Sequence, residues 1–162
     1  MKALYKTMAA MSSAALLITG CAFTGIKPGM SRDEVLASYG TPTRTVPLAS
    51  GTRLQYSRQP TGQTAVMVDL DAAGKVVSAR QVLNTRDFSR IEVDKWTRAD
   101  VEREFGPPAK TDGVASWSGD IMTYRWVDAG DQDMFFFVYL DAAKVVRRVG
   151  QGMEFPIRMN DR

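Results

Sequence analysis

Few residues in this chain have the types and spacing for chemistry. The 162-residue sequence has no histidine and one cysteine, Cys21. That inventory excludes an intrachain disulfide, imidazole acid–base catalysis and Cys/His metal sites. Carboxylates remain. Asp69 and Asp71 alternate along a strand pattern as a catalytic pair would, but no nucleophile or base accompanies them, and they read as turn carboxylates. Asp128, Asp131 and Asp133 flank Gly130 in VDAGDQDM. Spaced acids around a glycine suggest calcium, yet the twelve-residue order with its terminal Glu is missing, and a solvated hairpin turn is the better reading. No glycine-rich phosphate loop occurs. The expectation is a protein with no catalytic residue, metal or cofactor.

Cys21 carries the one clear chemical signal. MKALYKTMAAMSSAALLITGC has the three parts of a secretory signal: basic Lys2 and Lys6, an apolar centre and a small-residue end. Its apolar run from Met8 to Gly20 is about 13 residues, short of the roughly 20 needed to cross a bilayer. Ile18-Thr19-Gly20-Cys21 resembles the bacterial lipobox, in which cleavage precedes a cysteine that is then lipidated. Residues 1–20 are thus expected to be removed, leaving 21–25 as a lipidated linker. Each buried methylene contributes about 0.8 kcal/mol and two chains suffice for stable anchoring, so an acylated Cys21 would hold the protein in a lipid bilayer. Ala22 follows it, not the aspartate of inner-membrane retention. The expected location is the outer membrane, facing the periplasm.

The formal charge of +3 is largely the leader's. Removing its two lysines from 21 basic residues leaves 19 against 18 acids, about +1. No basic cluster replaces them, so nucleic acid is not an expected partner. Lys144, Arg147 and Arg148 form a small basic patch that could meet anionic headgroups, although charge that blunts an edge strand is the simpler reading.

The elements that would position any site are written twice. GMSRDEVLASYGTP, 29–42, has a cap at Ser31, a capping-box partner at Glu34, a staple from Met30 to Val35, and a stop at Gly40 before Pro42. KWTRADVEREFGPP, 95–108, repeats it with Thr97, Asp100, Trp96, Val101 and Gly106. Downstream, QTAVMVDLDAAGKVVSA and MFFFVYLDAAKVVRRV share Leu-Asp-Ala-Ala followed by Lys-Val-Val, and both read as strand, turn, strand. A further short strand precedes each, near 52–57 and 121–127, and 85–93 has a possible extra helical turn. The expected fold class is α+β: two tandem units of short helix followed by a three-stranded antiparallel meander, joined into one larger sheet. The units span 26–83 and 84–155, with a tail at 156–162.

Ile26, Gly29, Met30, Ser31, Val35, Gly40, Thr41 and Pro42, with the hairpin Gln63 to Val77, resemble the SmpA/OmlA or BamE-type outer-membrane lipoproteins over about residues 26–80. Two such units in tandem also resemble the β-lactamase-inhibitor-protein architecture, which offers a concave sheet face to a protein partner. The first resemblance implies a non-enzymatic binding module in outer-membrane protein assembly or envelope integrity. Its partners would be barrel-assembly components and anionic phospholipid, with contacts at positions matching Thr41 and Arg58. The second implies a tandem-repeat inhibitor that binds an enzyme.

Met134 to Leu140, MFFFVYL, is apolar on both strand faces. One reading is a central strand buried on both sides. The other is that Phe135, Phe137 and Tyr139, with Tyr124 and Trp126 nearby, line an aromatic partner-binding face. The sequence leaves both open.

Overall fold

Ser31 starts the first helix as its sequence dictates. Its side chain accepts from the Glu34 amide, and Glu34 returns the bond to the Ser31 amide at 2.6 Å. In the computed structural model, which describes residues 25–155, this opens α1 (Arg32–Tyr39). Cys21, the leader and the tail 156–162 lie outside the described residues. Four strands follow: β1 (Arg44–Leu48), β2 (Gly51–Ser57), β3 (Ala65–Asp71) and β4 (Val76–Gln81). They pair antiparallel in sequence order as one sheet. The single turn α2 (Thr85–Phe88) leads to α3 (Arg98–Phe105), where Thr97 and Asp100 form the second capping box. A second antiparallel sheet holds β5 (Lys110–Val114), β6 (Trp117–Val127), β7 (Asp133–Leu140) and β8 (Val146–Met153).

The α+β expectation is corrected by these sheets. The protein is mostly β, with two four-stranded antiparallel sheets rather than two helix-plus-three-strand units. The unpredicted strands are β1 and β5. Both are edge strands, exposed along most of their length, so neither shows the alternation that marks a half-buried strand. Pro47 lies inside β1 and Gly113 inside β5, residues that argue against a strand except at an edge. The sheets also remain separate; what the two halves share is a core.

That core explains the layering. On one face of the first sheet, Leu54, Val66, Val68, Leu70 and Val76 pack with Val35 of α1. On the other, Ala65 and Met67 join Phe88, Val101 and Phe105, which continue into Met122, Tyr124, Trp126, Phe136, Val138 and Leu140 of the second sheet. The helix α3 therefore lies between the sheets. Polar groups dock its end: the Gln55 amide donates to the Glu102 and Arg103 carbonyls at 2.9 and 3.0 Å, and Arg53 donates to the Arg103 carbonyl at 3.0 Å. The Glu102 carbonyl also accepts from the Gly106 amide at 2.9 Å, and a cation at this last turn complements the helix dipole.

The repetition extends to details that the sequence hides. The Tyr56 hydroxyl donates to the Gly40 carbonyl at 3.1 Å, and the Tyr124 hydroxyl to the Gly106 carbonyl at 2.9 Å, each tying a helix stop to a sheet. Gly51 and Gly119 occupy equivalent places, where a Cβ would overlap the carbonyl of Leu70 or Leu140 just before the Leu-Asp-Ala-Ala turn. The glycine that the second turn lacks is replaced by Lys144, which adopts the same left-handed conformation (φ 62°) as Gly74 (φ 75°).

Candidate functional site

The second sheet has one face that no helix among the described residues covers. Strand register decides which residues form it. Thr123 pairs with Phe137, Ile121 with Tyr139, and Arg125 with Phe135, so these six share one side. The same register puts Tyr124 opposite Phe136 and Trp126 opposite Met134, on the core side. The predicted aromatic set therefore divides. Phe135, Phe137 and Tyr139 are half-buried on the open face, while Tyr124 and Trp126 are buried against α2 and α3 and present nothing to a partner. Sequence proximity had grouped residues that a one-position difference in parity separates.

The open face forms a mainly apolar groove of about 480 Å³. Ile121 and Thr123, only 5% and 9% exposed, are its floor. Phe135 and Phe137 stand side by side with centroids 6.0 Å apart, and Tyr139 meets Trp117 edge-on at 5.3 Å. Opposite Phe135 and Phe137 on β8 are Gly152 and Gly150, which leave the rings uncovered on that side. Lys110, Asp112 and Val114 of β5 form the other rim.

The first half of the chain closes one end. The Gln59 side-chain amide bonds both backbone groups of Arg125, donating to its carbonyl at 2.7 Å and accepting from its amide at 3.2 Å. This amide takes over the pairing of β6 where β5 has run out, since the β5 register ends at Lys110 and Thr123. Pro60 is thereby set at the groove's end. Arg125 donates to the Pro60 carbonyl at 2.9 Å and pairs with Glu154 at 2.8 Å.

Charge around the groove is mostly neutralised. Lys110 pairs with Asp112, Lys144 with Asp120, and Arg147 with Asp94 and Asp141. Arg148 differs: its guanidinium stacks 4.2 Å over the Tyr139 ring and has no carboxylate partner among the described residues. Among the described residues the basic patch read from the sequence thus reduces to Arg148 as the cation without a carboxylate partner, at the groove's far end.

The remaining sequence candidates fall elsewhere. Thr41 and Arg58 are both exposed, and the Thr43–Ser57 side-chain bond puts them at the same end of the first sheet. Arg58 begins the loop whose Pro60 reaches the groove. Asp69 is no turn residue; it holds Arg53 through two bonds of 2.6 and 3.0 Å. Asp71 and Asp128 each accept two backbone amides in their turns. Among the described residues no group of acids is placed to hold a metal.

Arg53 and Gln55 were not found by the sequence reading, and Glu104 completes the Arg53 pair at 3.1 Å. Their signal was two polar residues inside a strand whose other face is apolar. The Gln59–Arg125 clasp gave no signal, because it spans 66 residues and uses a loop glutamine.

No protein-family model matches the chain, and no curated protein does. Among solved structures, it is similar to a DUF4309 family protein (YjgB) from Bacillus subtilis at 14% identity, covering 76% of this chain and 78% of that one, with a TM-score of 0.33. It is also similar to an extracellular protein containing an SCP domain from Bacillus anthracis at 17% identity, with a TM-score of 0.29, where it covers 92% of this chain and about half (48%) of that one. Likeness at this level carries no argument about fold or function.

Proposed function

We propose that this chain is an outer-membrane lipoprotein, anchored through acylated Cys21 and facing the periplasm. Its work is to bind other envelope proteins without chemistry of its own. The observation that carries the binding half is the uncovered aromatic face of the second sheet. Elsewhere each sheet face is packed against a helix, yet here Phe135, Phe137 and Tyr139 flank a groove with only backbone opposite two of the three. Aromatic anchors around a desolvated floor supply most of the energy in protein interfaces. Support for the anchoring half is the Ile18–Cys21 lipobox pattern and the short apolar run before it. Support for outer-membrane assembly is the resemblance of Gly29, Met30, Ser31, Val35, Gly40, Thr41 and Pro42 to SmpA/OmlA lipoproteins.

Two experiments test the two halves. Labelled fatty acid should incorporate into the wild-type chain and not into Cys21→Ser; equal labelling would remove the anchor. The lipidated protein, extracted in mild detergent, should co-purify with barrel-assembly components, and a Phe135→Ala/Phe137→Ala/Tyr139→Ala variant should stay folded and lose them. Failure of the variant to fold would assign these rings to the core instead.

A further inference from the structure

The outward amides and carbonyls of an edge strand can pair with another strand unless something guards them. Among the described residues three of the four sheet edges are guarded. Pro47 lies within β1, and β5 is interrupted by the irregularity between Asp112 and Val114. On β4, Val76 bonds with Gly29 and Met30 at 2.8 Å each. Further along, the Gln81 carbonyl accepts from the Asn84 side chain at 3.0 Å, and the Gln81 side chain accepts from the Leu83 amide at 2.5 Å.

The fourth edge, β8, begins as β4 does, with Val146 bonded to Asp94 and Trp96 at 2.8 Å each. Beyond the irregularity opposite Tyr139 and Leu140 it changes. The Glu154 amide donates inward to the Asp133 carbonyl at 2.8 Å, so Val149, Gln151 and Met153, of the opposite parity, aim their backbone groups away from β7. None of the three takes a backbone partner on that side among the described residues. Gln151 stands where Gln81 stands in the first sheet, yet its side chain is exposed.

Side chains along this edge are complementary to themselves. In an antiparallel pairing of two copies centred on Gln151, Val149 lies opposite the second copy's Met153, and Arg148 opposite its Glu154. Met153 is 53% exposed and Val149 half-buried, so the first pair covers apolar surface. The second gives Arg148, which has no carboxylate among the described residues, an acid directly across the strand. Val149, Gln151 and Met153 have the parity of hydrogen-bonded pairs, and the register would form about six backbone bonds.

We propose that two copies of this chain pair β8 to β8, antiparallel about Gln151, and join their second sheets into one. Residues facing each other across such a pair point to the same side, so both aromatic grooves open on one surface. The pairing is small and hence weak, at the low end of interface sizes. It stands whatever the groove binds.

The test uses the full chain with Cys21→Ser, purified in detergent micelles, so that an introduced cysteine is the only thiol. Under mild oxidation Gln151→Cys should form a disulfide-linked dimer, and Thr111→Cys, on the exposed β5 edge, should do so far more slowly. Sedimentation of the chain with Gln151 intact should show a dimer that grows with protein concentration. Gln151→Pro gives up an amide that β7 does not use, and should keep its circular dichroism and stay monomeric. Arg148→Glu, set against Glu154, should weaken the dimer about tenfold. A monomer at every concentration would overturn the proposal. So would equal cross-linking at positions 111 and 151, or a dimer undiminished in Arg148→Glu, which decides the matter if Gln151→Pro does not fold.

Discussion

Among the described residues the first sheet is covered on both faces, by α1 on one and α3 on the other, whereas the second is covered on one. Both halves use the same devices: a capping box, a glycine stop tied by a tyrosine, and a glycine under the Leu-Asp-Ala-Ala turn. They differ in what each helix packs against. The α1 helix serves only its own sheet, but α3 is inserted between the two and fills the place that a third helix would otherwise need to fill. A two-unit stack built this way has one face left over, and in this chain that face is aromatic. Repetition thus accounts for both the stability and the exposed groove.

Perturbing the shared helix should therefore cost more than perturbing the private one. Phe105→Ala removes a fully buried ring of the shared core that touches Phe88 of α2 and Tyr124 of the second sheet, and is expected to destabilise by about 3–5 kcal/mol. Val35→Ala, equally buried in the smaller cluster, should cost about 2 kcal/mol. Chemical denaturation of both variants checks the order; equal losses would mean that α3 is not the common support.

The polar half of that support comes next. Arg53→Ala leaves Asp69 partly buried without its cation and strips Glu104 of one of its three basic partners, and should destabilise by about 3 kcal/mol, with a lower denaturation midpoint as the readout. No comparable loss is expected from Arg148→Ala on the open face, beyond a few tenths of a kcal/mol.

Capping gives a smaller effect with a pH signature. Thr97→Ala should cost about 1 kcal/mol. The Thr97 backbone amide, with its hydroxyl and Arg103, holds the Asp100 carboxyl below its ordinary range. A lowered folded value adds stability above the unfolded value near 3.9, which is lost as pH falls through the folded value. Melting temperature should thus drop as pH is lowered from about 5, and drop less steeply in Thr97→Ala. At the alkaline end the sign reverses in origin. Burial pushes the Tyr124 phenol well above 10, so the protein should lose stability as pH rises beyond about 10, and Tyr124→Phe should blunt that loss.

Much of this contrast is legible in the sequence, and some is not. The caps, the stops and the duplicated hairpins follow from local chemistry: Ser31 with Glu34, Thr97 with Asp100, and glycine where a left-handed residue ends a helix. The edge strands β1 and β5 do not, because a mostly exposed strand carrying Pro47 or Gly113 has no burial period to detect. The open face was half legible. MFFFVYL announces aromatic surface, but which set points outward depends on register with β6, and register is set by pairing across the sheet rather than by either strand alone. Tyr124 and Trp126 were misassigned for that reason. The Arg53–Gln55 dock under α3 was hidden because its partners are backbone carbonyls 47 to 50 residues away.

The most direct measurement changes one ring on the open face and one in the core and reads both stability and association. Phe137→Ala should keep its melting temperature within a few degrees, since about 1 kcal/mol or less is at stake on a half-exposed face, and should no longer bring down barrel-assembly components with the lipidated chain. Phe136→Ala, one residue away and facing the stacked ring of Phe88 at 3.9 Å, should melt far earlier. If Phe137→Ala instead melts as early as Phe136→Ala, or stays folded and keeps its partners, the uncovered face is not where this protein binds.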